Sequence, residues 1–245
     1  ARLLASCHGH TAASAAVRLY ECLDRRVLRA FDGVLGFSAH QCQMLRQWGV
    51  NEGRIVHIPH FIEPAWADEL PANAGALQRR RWGFTDEDLI VGFFGRASPE
   101  KGVDILLTAF ARVRAAEPRA RLVIAGDGLA LHLPAPAALY LGFLEDVRPA
   151  MLACDLIAVP SRREAFGLTA LEAMALGRPV LGAAVGGLPE LVRHGETGWL
   201  APAGDVAAWA DALLRLLGDA PLRRSLAERG RADVLARFPV CQISQ

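Results

Sequence analysis

Two carboxylates stand eight residues apart in the stretch EAFGLTALE, Glu164 and Glu172, with no other charged residue between them. Gly167, inside the same stretch, reads as the beginning of a helix. A loop that feeds a helix leaves the backbone N–H groups of Phe166, Gly167, Leu168 and Thr169 without intrahelical acceptors. Those groups and the helix dipole favour a bound phosphate, and Gly167 has no side chain to keep an anion away. Glu164 would lie ahead of such a phosphate and Glu172 beyond it, so the ligand would carry hydroxyls at both ends. A nucleoside diphosphate sugar has sugar hydroxyls at one end and ribose hydroxyls at the other. A capped helix with two solvated acids would show the same spacing.

A second pair has the opposite charge. In FFGRASPEKG, Arg96 and Lys101 follow an apolar run and precede a helix expected to start near Gly102. Open α/β sheets bind ligands at the carboxyl ends of their strands. Two cations there could neutralise a departing diphosphate. A solvated basic loop is the plainer alternative. No cluster has metal-ligand spacing. The cysteines at 7, 22, 42, 154 and 241 form no CxxC pair and are expected to be reduced thiols.

The elements that must hold these residues follow from the hydrophobic pattern. DLIVGFFG, ARLVIAG, AALYLGF, CDLIAVPS and GRPVLGA are short unbroken apolar runs, the mark of parallel strands buried on both faces. Helical patterns separate most of them. KGVDILLTAFARVRAA places Val103, Leu106, Leu107, Phe110 and Val113 on one face. EDVRPAMLAC predicts a shorter helix with Pro149 awkward inside it, and FGLTALEAMALG stops at Gly177, a natural C-terminal cap. Alternating strands and helices predict a doubly wound sheet over residues 88–202. DVAAWADALLRLLGD and PLRRSLAERGRADVLARF predict two flanking amphipathic helices, with Pro221 in the first turn of the second.

Residues 63–80, rich in Pro, Ala and Gly, read as a linker. Before them come three predicted strands (ARLLASCHGH, GVLGFSA, RIVHIPHFI) and two helices (SAAVRLYECLDRRVLRAFD, HQCQMLRQWG). So few elements cannot easily bury a core alone, so residues 1–62 are expected to be the remnant of a larger domain. Of the 245 residues 52% are hydrophobic and 22% charged, as in ordinary globular proteins, and the net charge of +1 gives no reason to expect nucleic acid as a partner. No apolar run is long enough for a membrane-spanning helix. No signal peptide is visible, although the chain starts at Ala1.

GRASPEKGVDILLTAF, AGDG, YLGFLEDV and VPSRREAFGLTALEAMALGRPVLGAAVGGLPELVRHGETGWLAPAGD occur in this order. Together they closely resemble the C-terminal half of a GT-B glycosyltransferase of the retaining, family 4 (group 1) type. The likeness reaches from residue 1 to about 238 and is strongest over 90–205. It implies an α/β fold of two Rossmann-like doubly wound domains, the N-terminal one incomplete here. The expected division is 1–62 for the acceptor-side remnant, 63–80 for the linker, 81–238 for the nucleotide-sugar domain and 239–245 for a tail.

The resemblance also implies roles. Glu164 matches the acid that contacts the transferred sugar, and Glu172 the one that binds the ribose hydroxyls. Arg96 and Lys101, beside Gly95, match the diphosphate pair, with the Phe166–Thr169 amides completing the cradle. Gly126, Gly128 and the backbone around Phe143 and Leu144 lie where the family holds the base. His8 in ASCHGHT matches a histidine that reaches the donor sugar across the cleft. The implied activity is transfer of a hexose-type sugar from a UDP- or GDP-linked donor to a hydroxyl of a glycan, lipid or small molecule, with retention. It requires no cofactor and no metal. Glu164 and Glu172 are then donor-binding groups rather than a glycosidase acid/base pair. A cytoplasmic location is expected, with Arg25, Arg26 and Arg29 open to contact with an anionic membrane surface or simply solvated.

The sequence also departs from the family pattern. The usual opening strands and their glycine-rich loop are missing, the segment after Gly128 is short and carries Pro134 and Pro136, and His60-Phe61 replaces a common Asn-Gly. Arg162 and Arg163 ahead of the first acid are read as a solvated loop or as contacts to an anionic acceptor. A nucleotide-sugar-binding module without transferase activity would share every donor residue. A dinucleotide-binding oxidoreductase would need a G-x-G-x-x-G turn, which GFFGRASPEKG does not supply.

Overall fold

The computed structural model describes residues 3–6, 15–128 and 138–240. The chain begins with β1 (Leu4–Ser6), α1 (Ala15–Val27), β2 (Gly33–Gly36), α2 (Ala39–Gln47) and β3 (Ile55–His57). These strands form a parallel sheet in the order β1-β2-β3. Among the described residues Leu28, Val34, Leu45 and Val50 are buried in a cluster of their own.

Residues 63–80 are not a bare connection. They carry α3 (Pro64–Asp68) and α4 (Ala74–Arg81). α4 packs on a later helix so closely that a Cβ on Gly75 would sit 2.4 Å from Leu152 O. Arg79 donates to Ala153 O at 2.7 Å and pairs with Asp155 at 2.5 Å. Composition marked a linker here because Pro and Gly punctuate the segment. Both fall at helix edges, where they do no harm.

The second sheet is built from β4 (Leu89–Phe94), α5 (Val103–Ala116), β5 (Ala120–Ala125), β6 (Ala138–Gly142), α6 (Arg148–Ala153), β7 (Leu156–Val159), α7 (Leu168–Ala175), β8 (Val180–Ala183), α8 (Leu188–Leu191) and β9 (Trp199–Ala201). Helices α9 (Val206–Gly218) and α10 (Ala220–Arg237) follow. All six strands are parallel, in the order β6-β5-β4-β7-β8-β9. The inner strands β7 and β8 are buried at every position, which explains their unbroken apolar runs: side chains on both faces meet helices. α5 packs on α9, and α7 on α10. Pro149 lies in the first turn of α6, which begins at Arg148, where the ring is tolerated because that N–H has no intrahelical partner. Asp205 caps α9 through the amides of Ala207 and Ala208, and Asp219 caps α10 through Leu222 N.

From the centre, β4 winds outward through β5 to β6, whereas β7 winds the other way through β8 to β9. The loops leaving neighbouring strands β4 and β7 therefore diverge and open a crevice over their carboxyl ends. The first loop carries Arg96 and Lys101, and the second carries Glu164.

Candidate active site

The crevice lies between two loops that brace one another. Arg162 donates its backbone N–H to Glu100 O at 2.7 Å, its guanidinium to Pro99 O at 2.7 Å, and a forked pair to Asp104 at 2.8 and 2.7 Å. This pairing holds the Asp104 carboxyl below the usual range. Arg162, read from sequence as solvated or acceptor-facing, is a strut joining the loop of Lys101 to that of Glu164.

Glu164 sits at the mouth of the second loop. Its Oε2 accepts from Lys101 Nζ at 2.8 Å and from Ser161 Oγ at 3.0 Å. Its side chain is only 11% exposed, against 34% for Lys101. The chain then turns through Gly167, whose φ of 108° is open to glycine at little cost. A Cβ there would also meet Leu188 Cδ2 at 2.7 Å. α7 starts at Leu168, so its first amides have no partner within the helix. Glu172, further along α7, differs from Glu164 in having no hydrogen bond or ion pair among the described residues. Burial alone pushes its carboxyl up to about 7.

Three cavities follow the crevice. One of ≈ 370 Å³ is lined by Gly95, Arg96, Gly126, Phe143, Leu144, Thr169 and Glu172, among others. A second, of ≈ 150 Å³, holds Lys101, Glu164 and the Phe166–Thr169 turn, together with Phe37 and His60 from the first unit. The third, of ≈ 530 Å³, lies between the two units; Arg25, His40 and Trp48 line one side, and Arg96, Lys101, Arg163 and Glu164 the other. Arg96 and Lys101 each line two cavities, so these cations connect the space around Glu172 with that around Glu164. Gly128 stands outside the first cavity, against Ala97 of the β4 loop. His8 lies outside the described residues.

The sequence reading missed three participants. Ser161 follows a strand and precedes an acid, with no pattern to mark its hydrogen bond to Glu164. His60 reaches the second cavity only because the first unit packs there; its ring stacks on Phe37 with centroids 4.4 Å apart and meets Phe166 edge-on at 5.2 Å. Ser38, 0% exposed, donates to Ala165 O at 2.6 Å across 127 residues of chain. Among the described residues no group of three or more His, Cys, Asp or Glu could hold a metal ion, and no helix is long and apolar enough to cross a membrane.

Two parallel α/β units meeting at a switch-point crevice define a protein of GT-B fold. The model of the family "Glycosyl transferases group 1" matches residues 76–233, and the chain belongs to that family. It is similar to the D-inositol 3-phosphate glycosyltransferase of Stackebrandtia nassauensis, at 41% identity over 180 residues, covering 65% of this chain and 40% of that protein. It is also similar to the N-acetyl-alpha-D-glucosaminyl L-malate synthase of Bacillus anthracis, at 34% over 170 residues, covering 65% and 44%. The chain thus spans less than half the length of these curated relatives. Among solved structures, Anabaena Alr3699/HepE in complex with UDP-glucose superposes with a TM-score of 0.88 at 26% identity, over 100% of this chain and 70% of that one.

Proposed function

We propose that the crevice binds a nucleoside diphosphate sugar, and that the whole protein transfers the sugar, as a hexose, to an acceptor hydroxyl with retention of configuration. The observation that carries this reading is Glu172: a half-buried carboxylate with no hydrogen-bond or ion-pair partner among the described residues, facing a cavity that Arg96 shares. A buried acid is costly to leave unsatisfied, and a ribose supplies two hydroxyl donors to one carboxylate. The base would lie toward Gly126, Phe143 and Leu144, the diphosphate between Arg96, Lys101 and the α7 amides, and the sugar at Glu164. UDP is the favoured nucleotide, since the Anabaena structure contains UDP-glucose; GDP donors are the alternative.

In this reading the bond from the anomeric carbon to the diphosphate breaks, and negative charge grows on the departing phosphate. Lys101, Arg96 and the fixed amides stabilise that charge without reorganising. The same phosphate can take the proton of the attacking hydroxyl, so no protein base is needed. No metal is needed either, because the two cations supply the compensating charge. The acceptor would enter through the cavity between the units, and the named relatives point to small polar acceptors. We keep the division into 1–62, a connection at 63–80 and a donor unit over 81–238. We also place the protein in the cytoplasm, with α1 the face for any contact with a membrane surface.

Calorimetry with a panel of UDP- and GDP-sugars, with and without EDTA, tests this proposal. Saturable binding of one donor, unaffected by the chelator and weakened by Glu172→Ala, is the expected result; no binding of any donor would overturn it. NMR of the product's anomeric configuration tests retention in the whole protein.

A further inference from the structure

The backbone on either side of Glu164 is held from outside its own sheet. Ser38, at the end of the β2 loop, donates its hydroxyl to Ala165 O at 2.6 Å, and the same Oγ accepts the Gln41 amide of α2 at 3.1 Å. The remaining two amides at the front of α2 are satisfied by the other unit. Glu190 of α8 accepts Ala39 N on Oε2 at 2.8 Å and His40 N on Oε1 at 2.7 Å. A helix N-terminus and a carboxylate attract each other through both the free N–H groups and the dipole. Just before Glu190, Gly187 donates to Glu164 O at 3.1 Å, and a Cβ on it would touch Ala165 O at 2.5 Å and Ser38 Cβ at 3.0 Å. The junction leaves no room for slack. His60, stacked on Phe37, presses on Phe166 from the same side.

We infer that Ser38 of the first unit and Glu190 of the second are positioning residues that set the place of Glu164 through the docking of the two units. Glu190 ties α2 to the second unit, and Ser38 transmits that tie to the peptide next to the acid. Glu172 and the cavity around it share none of these contacts. Among the described residues the nucleoside end of the site is therefore lined by the second unit, whereas the sugar end depends on how the first unit is docked. This inference rests on the reading of Glu164 as the group that meets the sugar.

Ser38→Ala and Glu190→Gln separate this role from plain stability. UMP reaches only the Glu172 end, and UDP-glucose spans both ends. In Ser38→Ala and Glu190→Gln, affinity for UDP-glucose should fall about tenfold while that for UMP stays within about twofold. Hydrogen exchange of the unliganded chain gives a readout that needs no ligand: amides of 163–168 should exchange faster in Ser38→Ala, with β4 and β5 unchanged. Equal losses for both ligands, unchanged affinity for both, or faster exchange spread over the whole sheet would each overturn the inference. If the unaltered chain binds neither ligand, the donor-site proposal fails, and the exchange measurement still decides whether Ser38 holds the loop.

Discussion

Lys101 Nζ lies 2.8 Å from Glu164 Oε2, so the cation of one loop is neutralised by the acid of the other. A diphosphate entering the crevice must share Lys101 with Glu164, and the acid's charge opposes the ligand's. At an intermediate effective dielectric such a pair interacts by a few kcal/mol, enough to matter for binding. Glu164→Gln should therefore leave UDP affinity unchanged or raise it several-fold, while UDP-sugar turnover in the whole protein falls by at least about a hundredfold. Titration with UDP beside a turnover assay checks this. A large loss of UDP affinity would contradict it.

Glu172 should behave in the opposite way. Glu172→Ala removes the group assigned to the ribose, and UDP binding should weaken by about 2 kcal/mol, or roughly thirtyfold. The pH dependence has a definite sign. With its carboxyl near 7, Glu172 is largely protonated at pH 6 and ionised at pH 8. The ionised form accepts more strongly from both hydroxyls, so affinity for UDP-glucose, whose diphosphate has no ionisation near 7, should rise across that interval, and its binding at pH 7 should release protons. Calorimetry in two buffers of different ionisation enthalpy detects the release. In Glu172→Gln it should vanish.

Arg162 makes a third prediction. It joins the loops of Lys101 and Glu164 through Asp104, Pro99 and Glu100 without belonging to the second cavity. Arg162→Ala should weaken UDP binding by about tenfold through the loss of loop placement, since one well-formed charged contact is of that order. Arg162→Lys should recover little, because a lysine cannot reproduce the fork on Asp104. Binding unchanged in both variants would show that the loops hold themselves.

The larger sheet was legible because its strands are buried on both faces, and that burial imposes apolar runs that no other element needs. The same logic hid β9, a three-residue edge strand with two half-buried positions, and α8, which is a single turn. Glu164, Arg96 and Lys101 drew attention because they are charged residues in loops after strands, and Glu172 because it is an acid among the apolar residues of α7; the structure brings all four to one crevice. Ser38, Ser161, His60 and Glu190 drew none, because their partners are far away in sequence and each residue type is ordinary in a loop. Composition did not reveal that the connection at 63–80 carries helices, because its Pro and Gly fall at or near their starts. The Lys101–Glu164 contact could not be foreseen either, since spacing along the chain says nothing about which loops lean together.

Gly186 has φ 58°, and a Cβ there would lie 1.8 Å from Glu164 O. The obstacle is backbone rather than the tip of a side chain, so the loop after β8 or the Glu164 turn must shift. Gly186→Ala should cost on the order of 2 kcal/mol from the backbone conformation and the displaced neighbour together. Thermal unfolding should show the loss, and UDP-glucose binding should weaken more than UMP binding, because the displaced peptide is that of Glu164.

Stability should also depend on Glu172. Its folded carboxyl is raised from 4.5 to about 7, so the folded state holds the proton more tightly than the unfolded chain does. Below about pH 4.5 both states are protonated, and the group contributes no penalty. Between that point and pH 7 the unfolded chain gives up its proton first, so stability falls as pH rises, and it levels off above pH 7. The span amounts to about 3 kcal/mol at most, from a shift of 4.5 to about 7. Glu172→Gln keeps the shape and removes the charge. Its melting temperature should exceed that of the unaltered chain at pH 8 by several degrees and match it near pH 4.5. Added UDP should reverse the order at pH 8, because only the carboxylate is then satisfied by the ligand.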